Sequence, residues 1–236
     1  MIDIHSHLLY GVDDGCKTIE ESIEILRDLE SLGYTDIVLT PHYIVNSKYT
    51  SSKKDNRNKI NALKKELQKQ QIHINLYLGN EIYIDEKIDY LLKNKQVTSL
   101  NDSDYLLIEL PMSGEFPGYE DILFDLISKG KKVILAHPER YFAFQKDFHK
   151  INELEKMGVL FQCNIESIVN GYGKSTRKLV KRLFKEKKVT FLASDIHHRK
   201  KYDIWNKATI KIKKYLGNEE YEALLNNALV ILKKNS

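Results

Sequence analysis

A single α/β barrel of parallel strands is the fold that this sequence predicts, and three observations predict it. Seven short apolar segments rich in β-formers recur along the 236 residues. Helical segments fall between them. No Gly-, Pro- or Ser-rich linker, internal repeat or low-complexity stretch divides the chain. Strands alternating with helices argue for a parallel sheet, and barrels of roughly 200–250 residues are common as one domain. Seven such units favour one closed or nearly closed (β/α)7 barrel over two domains, with a single domain running from 1 to 236. An open, doubly wound sheet is the alternative.

The expected strands are Ile2–His5, Asp36–Thr40, Ile74–Gly79, Tyr105–Leu110, Lys132–Ala136, Val159–Cys163 and Val189–Ala193. Most are nearly continuous hydrophobic runs, which suits strands covered on both faces. Thr18-Ile19-Glu20-Glu21 reads as a capping box that opens a helix to about Leu32, with Gly33 just past its end. Gly130 and Gly158 repeat the arrangement of helix, glycine and strand. Asp147 and Ser175 are expected N-caps. Two further helices, near Tyr202–Tyr215 and Glu219–Lys233, close the chain. Two strand-to-helix connections, Tyr43–Asn58 and Pro111–Tyr119, are long and polar, and such loops usually carry function in these folds.

Composition bounds the function classes. Charged residues make up 30% and hydrophobic residues 42%, which is ordinary for a soluble globular protein. The formal charge of +4 comes from 37 basic and 33 acidic residues. If several carboxylates bind metal, the remaining surface is more basic than this sum, and it leans weakly toward acidic or phosphorylated partners. No basic block interleaved with aromatics appears, so nucleic acid is not favoured. Two cysteines, Cys16 and Cys163, without a CxxC motif, fit a reducing compartment. There is neither a bilayer-spanning apolar run nor a signal peptide, so membrane insertion is not expected and a cytoplasmic location is. Oligomeric state is left open, a homo-oligomer included.

The informative residues are His5-x-His7 at one end of the chain and Asp195-x-His197 near the other. Residues i and i+2 of a strand share a face, so each pair aims two ligand-type side chains at one spot. His5 and His7 end the first strand, and Asp14 lies in the loop after it. His42 follows the second, Glu81 the third, and Glu109 ends the fourth. His137 follows the fifth, and Asp195 and His197 follow the seventh. Nine imidazole or carboxylate groups thus fall at the same end of six strands, where barrel active sites form. His73, His149 and His198 are expected at the surface. Asp3 is a candidate for orienting a ligand imidazole. A mixed His and carboxylate set without thiolate suits Mn, Fe or Zn. Nine ligands exceed the needs of one ion, so two or three ions with bridging carboxylates are expected. Such clusters activate a bridging hydroxide and clamp a phosphate. Arg140, three residues after His137, stands at the same rim, where its guanidinium can grip phosphate oxygens.

These residues resemble the PHP (polymerase and histidinol phosphatase) superfamily. The closer likeness is to the metal-dependent protein tyrosine phosphatases of bacterial capsular and exopolysaccharide operons. The stretches IDIHSHLLYGVDDG, TPH, GNEIY, LIELP, AHPERY and ASDIHH carry it, from Met1 to about Trp205. The resemblance implies a distorted, TIM-like (β/α)7 barrel, with C-terminal helices from about 202. It implies three divalent ions, usually manganese. His5, His7, Glu81 and Asp195 would hold one; Glu81, Glu109 and His137 a second; Asp14, His42 and His197 the third. Asp195 and His42 would serve the reaction, and Arg140 would bind the phosphate. The implied substrate and partner is the phosphotyrosine-bearing tail of a bacterial tyrosine kinase that controls polysaccharide export. One departure stands out. Many members continue past Ser-Asp-x-His to another arginine and prolines. Here the shorter run His198-Arg199-Lys200-Lys201-Tyr202 leaves Arg199 and Lys201 as candidates for that second contact.

Two rival readings share these residues. One is a small-molecule phosphatase of the same superfamily, such as a histidinol phosphatase; the other is a non-catalytic, metal-binding module that docks to a kinase. A thiol phosphatase is excluded, because its Cys-x5-Arg loop would need arginine where Ser22 and Val169 stand.

Overall fold

The computed structural model describes residues 1–114, 116–199 and 203–233. Its strands are β1 (Ile2–Asp3), β2 (Asp36–Leu39), β3 (His42–Tyr43), β4 (Asn75–Leu78), β5 (Glu81–Tyr83), β6 (Tyr105–Glu109), β7 (Lys132–Ala136), β8 (Leu160–Asn164) and β9 (Phe191–Ala193). All strand pairings among the described residues are parallel. Three strands form one sheet in the order β1-β2-β4, and six form another in the order β3-β5-β6-β7-β8-β9.

Seven of these strands match the expected segments. The other two are continuations. The chain leaves β2 at Thr40-Pro41 and β4 at Gly79-Asn80, then re-enters pairing as β3 and β5 in the other sheet. Pro41 has no N–H to offer a ladder, so the break falls there. At Gly79 a Cβ would stand 2.7 Å from Leu100 Cδ2, which only glycine avoids. Asn80 fixes both breaks: its Nδ2 donates to Pro41 O at 2.9 Å, and its Oδ1 accepts from Thr98 N at 2.9 Å. The consequence is functional, because β3 and β5 align His42 directly opposite Glu81.

The first and last strands meet. Ser6 bridges Ile196 in parallel, with Asp195 N donating to His5 O and His7 N donating to Ile196 O, each at 2.9 Å. Thr40 N donates to Ser6 O at 2.8 Å on the other side. The ring of neighbours thus returns to β1, through β4 running on into β5.

Two sets of buried apolar side chains explain the unbroken hydrophobic runs. The inner set comprises Ile2, Ile4, Val38, Leu107, Ile134, Ala136, Phe191 and Ala193, closed at one end by Leu100, Ala228 and Ile231. The outer set, including Ile37, Leu39, Leu106, Ile108, Val133, Leu135 and Leu192, packs against the helices. Strands such as β2, β6, β7 and β9 are therefore apolar on both faces over most of their length, as suits parallel sheets covered by helices.

The helices are α1 (Ile19–Ser31), α2 (Lys53–Lys69), α3 (Ile88–Lys93), α4 (Tyr119–Ser128), α5 (Phe142–Lys146), α6 (His149–Met157), α7 (Lys174–Lys185), α8 (Asp203–Leu216), α9 (Asn218–Asn226) and α10 (Leu229–Leu232). The Thr18 hydroxyl accepts from Glu21 N at 3.3 Å, and Glu21 closes the box on Lys17 N at 2.6 Å. Gly33 ends α1 with φ +88°, a conformation that favours glycine.

Four expectations are corrected. Asp147 accepts from His149 N rather than capping at the boundary itself, which is Phe148. Ser175 lies inside α7, whose N-cap is Gly173. The connection Tyr43–Asn58 is shorter, because α2 begins at Lys53 under the Ser52 hydroxyl. That helix buries only one narrow apolar stripe, Ile60, Leu63 and Leu67, so a Lys- and Asn-rich run disguised it. The last expected helix is divided after Asn226, where the Asn227 amide donates to Thr190 O at 3.0 Å. Tyr202 lies outside the described residues.

Leu107 is fully buried in the inner set. Leu107→Ala is expected to cost about 2–5 kcal/mol of unfolding free energy, as for other buried Leu→Ala changes. Urea denaturation measures this, and a loss under about 1 kcal/mol would show that the inner layer collapses around the gap.

Candidate metal centre

The centre grows out of the inner layer. Along β6 the inward positions are Leu107 and then Glu109; along β8 they are Gln162 and Asn164; along β9 they run Phe191, Ala193 and onward to Asp195. Apolar residues fill the lower positions and ligand-type residues the top. His42 and Glu81 continue the same alternation from Val38 and Tyr77. At β7 the alternation would skip His137, but its backbone turns with φ +33° and swings the ring in.

The structure brings all nine predicted side chains together. Glu81 is at the middle: its Oε2 lies 3.2 Å from His5 Nε2, 3.2 Å from His7 Nε2 and 3.0 Å from His42 Nδ1. Its Oε1 meets His137 Nε2 at 2.9 Å. Asp195 Oδ1 lies 3.5 Å from the inward nitrogens of His5 and His7. Asp14 Oδ1 is 3.5 Å from His42 Nε2 and 3.5 Å from His197 Nε2. Glu109 lies 3.7 Å from His42 and 3.8 Å from His137. Among the described residues, three groups are tight enough to hold an ion: His7, Asp14, His42 and His197; His5, His7 and Glu81; His42, Glu81 and Glu109. Each differs from the expected set: the first gains His7, the second leaves Asp195 just outside, and in the last His42 rather than His137 stands with the two glutamates.

The chemistry of this set fits divalent cations. Glu81 Oε2, His42 Nδ1 and His137 Nδ1 are buried with no hydrogen-bond partner. An uncompensated buried polar atom is costly, and lone pairs crowded on one point are what a cation relieves. The rings are also held in the ligating orientation. His5 Nδ1 donates to Gln162 Oε1 at 2.8 Å, His7 Nδ1 to Asp13 Oδ2 at 2.7 Å, and His197 Nδ1 to Asp195 O at 3.0 Å. Each acceptor holds a proton on Nδ1, so the neutral ring that would meet a cation presents its Nε2 lone pair inward, and the same ring protonated on both nitrogens supplies positive charge to the carboxylates. Electrostatics point the same way. Burial and the negative charge of Glu81 push the Glu109 carboxyl up to about 9. Burial also opposes ionisation of Asp195, yet His5 and His137 hold it down to about 2.

Asp13, Gln162 and Asn164 were missed by sequence reasoning. A signal existed for two of them: Gln162 and Asn164 are alternate polar residues in an otherwise apolar strand. Asp3, expected to orient an imidazole, instead accepts from the backbone N–H of His5 and of Ser194, at 3.2 and 3.0 Å, and so clips β1 to the end of β9. His73, His149 and His198 are exposed, as expected.

Arg140 stands at the rim. Its Nη1 donates to Asp195 Oδ2 at 2.8 Å, and its guanidinium lies 4.5 Å over the Tyr172 ring. Asn164 Nδ2 donates to the same Asp195 oxygen at 2.7 Å and to the Tyr172 hydroxyl at 3.2 Å. Beneath it, the buried Glu139 carboxylate accepts from Asn164 N at 2.8 Å and Ser167 Oγ at 2.6 Å. Arg199 is not brought to the centre: its guanidinium grips Asp28 at 2.7 Å and Glu24 at 3.2 Å on α1. Lys201 lies outside the described residues.

Parallel strands carrying a His and carboxylate cluster at their C-terminal ends, with an arginine at the rim, define a metal-dependent hydrolase type of centre. The chain belongs to the capsular polysaccharide synthesis CpsB/CapC family, whose model matches residues 1–233. It is 37% identical to CapC of Staphylococcus aureus, over 98% of this chain and 91% of that protein. It is 32% identical to the tyrosine-protein phosphatase YwqE of Bacillus subtilis (strain 168), over 100% of this chain and 93% of the relative. Among solved structures, it superposes with a TM-score of 0.91 on one from a crystallographic study of YwqE of Bacillus subtilis and CpsB of Streptococcus pneumoniae, described there as metal-dependent tyrosine phosphatases. That match is 31% identical and covers 98% of this chain and 94% of the other. Among the described residues, no helix is long and apolar enough to cross a membrane.

Asp13→Asn removes the charge that orients His7 while keeping its shape. Metal affinity is expected to fall roughly 10- to 100-fold, the usual effect of losing such a partner. Isothermal titration with Mn checks this; unchanged affinity would reduce Asp13 to a turn residue that holds Gly15 and His42.

Proposed function

We propose that this chain is a metal-dependent tyrosine-protein phosphatase. The observation that carries the reading is the Glu81 carboxylate ringed by four imidazoles, with Arg140 on the adjacent rim. The likeness to YwqE supports the reaction and the family supports the setting, capsular polysaccharide synthesis. The phosphotyrosine-bearing tail of a tyrosine kinase is the substrate we propose within that setting.

His5, His7, Glu81 and Asp195 would hold one ion, Glu81, Glu109 and His137 a second, and Asp14, His42 and His197 a third, with manganese as the expected metal and iron or zinc sharing the same donors. When bound, the ions supply Lewis acidity, which lowers the pKa of water and neutralises charge on phosphoryl oxygens. The residues of the chain do the rest. Arg140 binds the phosphoryl group and stabilises charge on its equatorial oxygens in the transition state. Asp195 and the Tyr172 ring hold that guanidinium in place, so little order is lost when substrate arrives. Asp14 is half-exposed and the His197 side chain 21% exposed, so the rim is open on that side. An open rim admits an aromatic phosphate carried on a polypeptide. The tyrosyl leaving group, with a pKa of about 10, departs with little proton assistance.

No thiol is needed. Cys16 is buried, and its thiol is pushed up to about 11; Cys163 is fully buried, and burial pushes its thiol well above the usual range. Neither supplies thiolate near neutral pH. The double variant Cys16→Ser/Cys163→Ser is therefore expected to keep phosphotyrosine hydrolysis within about twofold. Loss of activity in a folded double variant would restore a thiol route.

Arg140→Ala is expected to lower kcat for a phosphotyrosyl peptide by roughly 100-fold, a typical effect of removing one charge-stabilising donor, with metal content unchanged. Steady-state kinetics together with metal analysis test this. Turnover of histidinol phosphate in strong preference to the peptide would overturn the proposal, and so would a metal-loaded protein that hydrolyses no aryl phosphate.

A further inference from the structure

The charge of this chain is segregated. Between Lys174 and Lys214 the sequence carries 15 Lys or Arg against three carboxylates, and the rest carries 22 against 30. The near-neutral total hides a strongly basic segment, and that segment is α7, α8 and the stretch between them.

Arg177 and Lys181 of α7 face Lys211, Lys214 and Tyr215 of α8 across a groove of about 360 Å3, floored by Ile168. None of these four cations is ion-paired with a carboxylate among the described residues. Some cations elsewhere do find carboxylate partners: Lys129 meets Asp89 and Asp125, and Lys188 meets Glu155. Arg177 Nε is buried without a hydrogen-bond partner. Like charges gathered without counter-charge repel one another, so the arrangement costs stability unless an anion enters.

The groove and the rim of the metal centre share a supporting segment, for Ser167, next to Ile168, donates its hydroxyl to Glu139 beside Arg140. Ile168 lies in the short 3-10 segment Ile165–Val169 that follows β8. Next to Arg177, Thr176 Oγ1 accepts from Gln145 Nε2, which also donates to Glu139 O, the carbonyl just before Arg140. We infer that the α7–α8 groove binds an acidic tract of the polypeptide that carries the phosphotyrosine, a reading that rests on the proposed phosphatase activity. A concave channel between two helices fits an extended chain with carboxylates better than the flat face of a bilayer, and its floor and one wall are hydrogen-bonded, through Ser167 and through Thr176 and Gln145, to the residue before the arginine proposed to hold the phosphate. Such complementarity acts through encounter and register, and is screened by salt.

The test uses two phosphotyrosyl peptides that differ only in three flanking Glu residues replaced by Gln, with unphosphorylated, fluorescein-labelled versions for binding. At low salt the full chain is expected to bind the acidic labelled peptide about five- to tenfold more tightly, and to hydrolyse the acidic phosphopeptide with a correspondingly higher kcat/KM. Both differences are expected to vanish near 0.5 M NaCl, where charges are screened within about 4 Å. Lys181→Glu/Lys211→Glu is expected to abolish them while leaving p-nitrophenyl phosphate turnover unchanged and Tm no lower; Lys181→Arg/Lys211→Arg is expected to retain them. Equal binding of the two peptides by the wild-type chain overturns the inference, as does a preference that survives charge reversal. Binding of phosphatidylserine vesicles, lost on charge reversal with the peptides bound equally, overturns it in favour of a lipid surface. Tight binding of the acidic peptide without hydrolysis of either phosphopeptide upholds the groove and removes the phosphatase reading.

Discussion

Everything in the centre is arranged around one buried carboxylate. Glu81 is fully buried, with its oxygens within 3.2 Å of four imidazole nitrogens. A lone carboxylate at that depth would be driven to its neutral form or would destabilise the fold. Here the surrounding imidazoles hold it ionised, well below the usual carboxylate range, despite its burial. Those imidazoles come from three separate parts of the chain, so the stabilisation exists only after the strands have assembled. Folding and site formation are thereby one event.

The support of that arrangement lies in residues that would touch neither metal nor substrate. Gln162, Asp13 and the carbonyl of Asp195 each take the outer proton of a ligand ring. Asn164 ties Asp195 to Tyr172, and together they fix Arg140. These contacts are what distinguish a set of metal-type residues from a set already oriented to bind. The segment after β8 that supports this rim also floors the basic groove between α7 and α8.

Much of this was legible in the sequence. The nine clustered residues were each placed by following a strand to its end, because an apolar run followed by His, Asp or Glu marks both the strand and its functional terminus. What escaped had physical reasons. β3 and β5 were invisible because two or three residues carry no periodicity; only the turn at Pro41 and the tight packing of Gly79 on Leu100 redirect them. α2 escaped because its single apolar stripe lies in a Lys-rich run. Asp13 was passed over beside Asp14, since spacing alone does not say which of two adjacent carboxylates faces inward. Arg199, a candidate for the phosphate by position in the chain, is drawn to Asp28 and Glu24 on α1, a partner nearby in space and 171 residues away in sequence.

The sequence by itself determined which residues could be ligands, the parallel α/β architecture and the end of the strands at which chemistry would gather. Local rules suffice for these: strand alternation, capping and the donor types of each side chain. Tertiary structure alone decided the pairing of His42 with Glu81, the Nδ1 partners of His5, His7 and His197, and the alignment of the α7 and α8 cations along one groove. Each depends on contacts between segments far apart in the chain, and no local pattern encodes a distance that closure of the first strand onto the last creates.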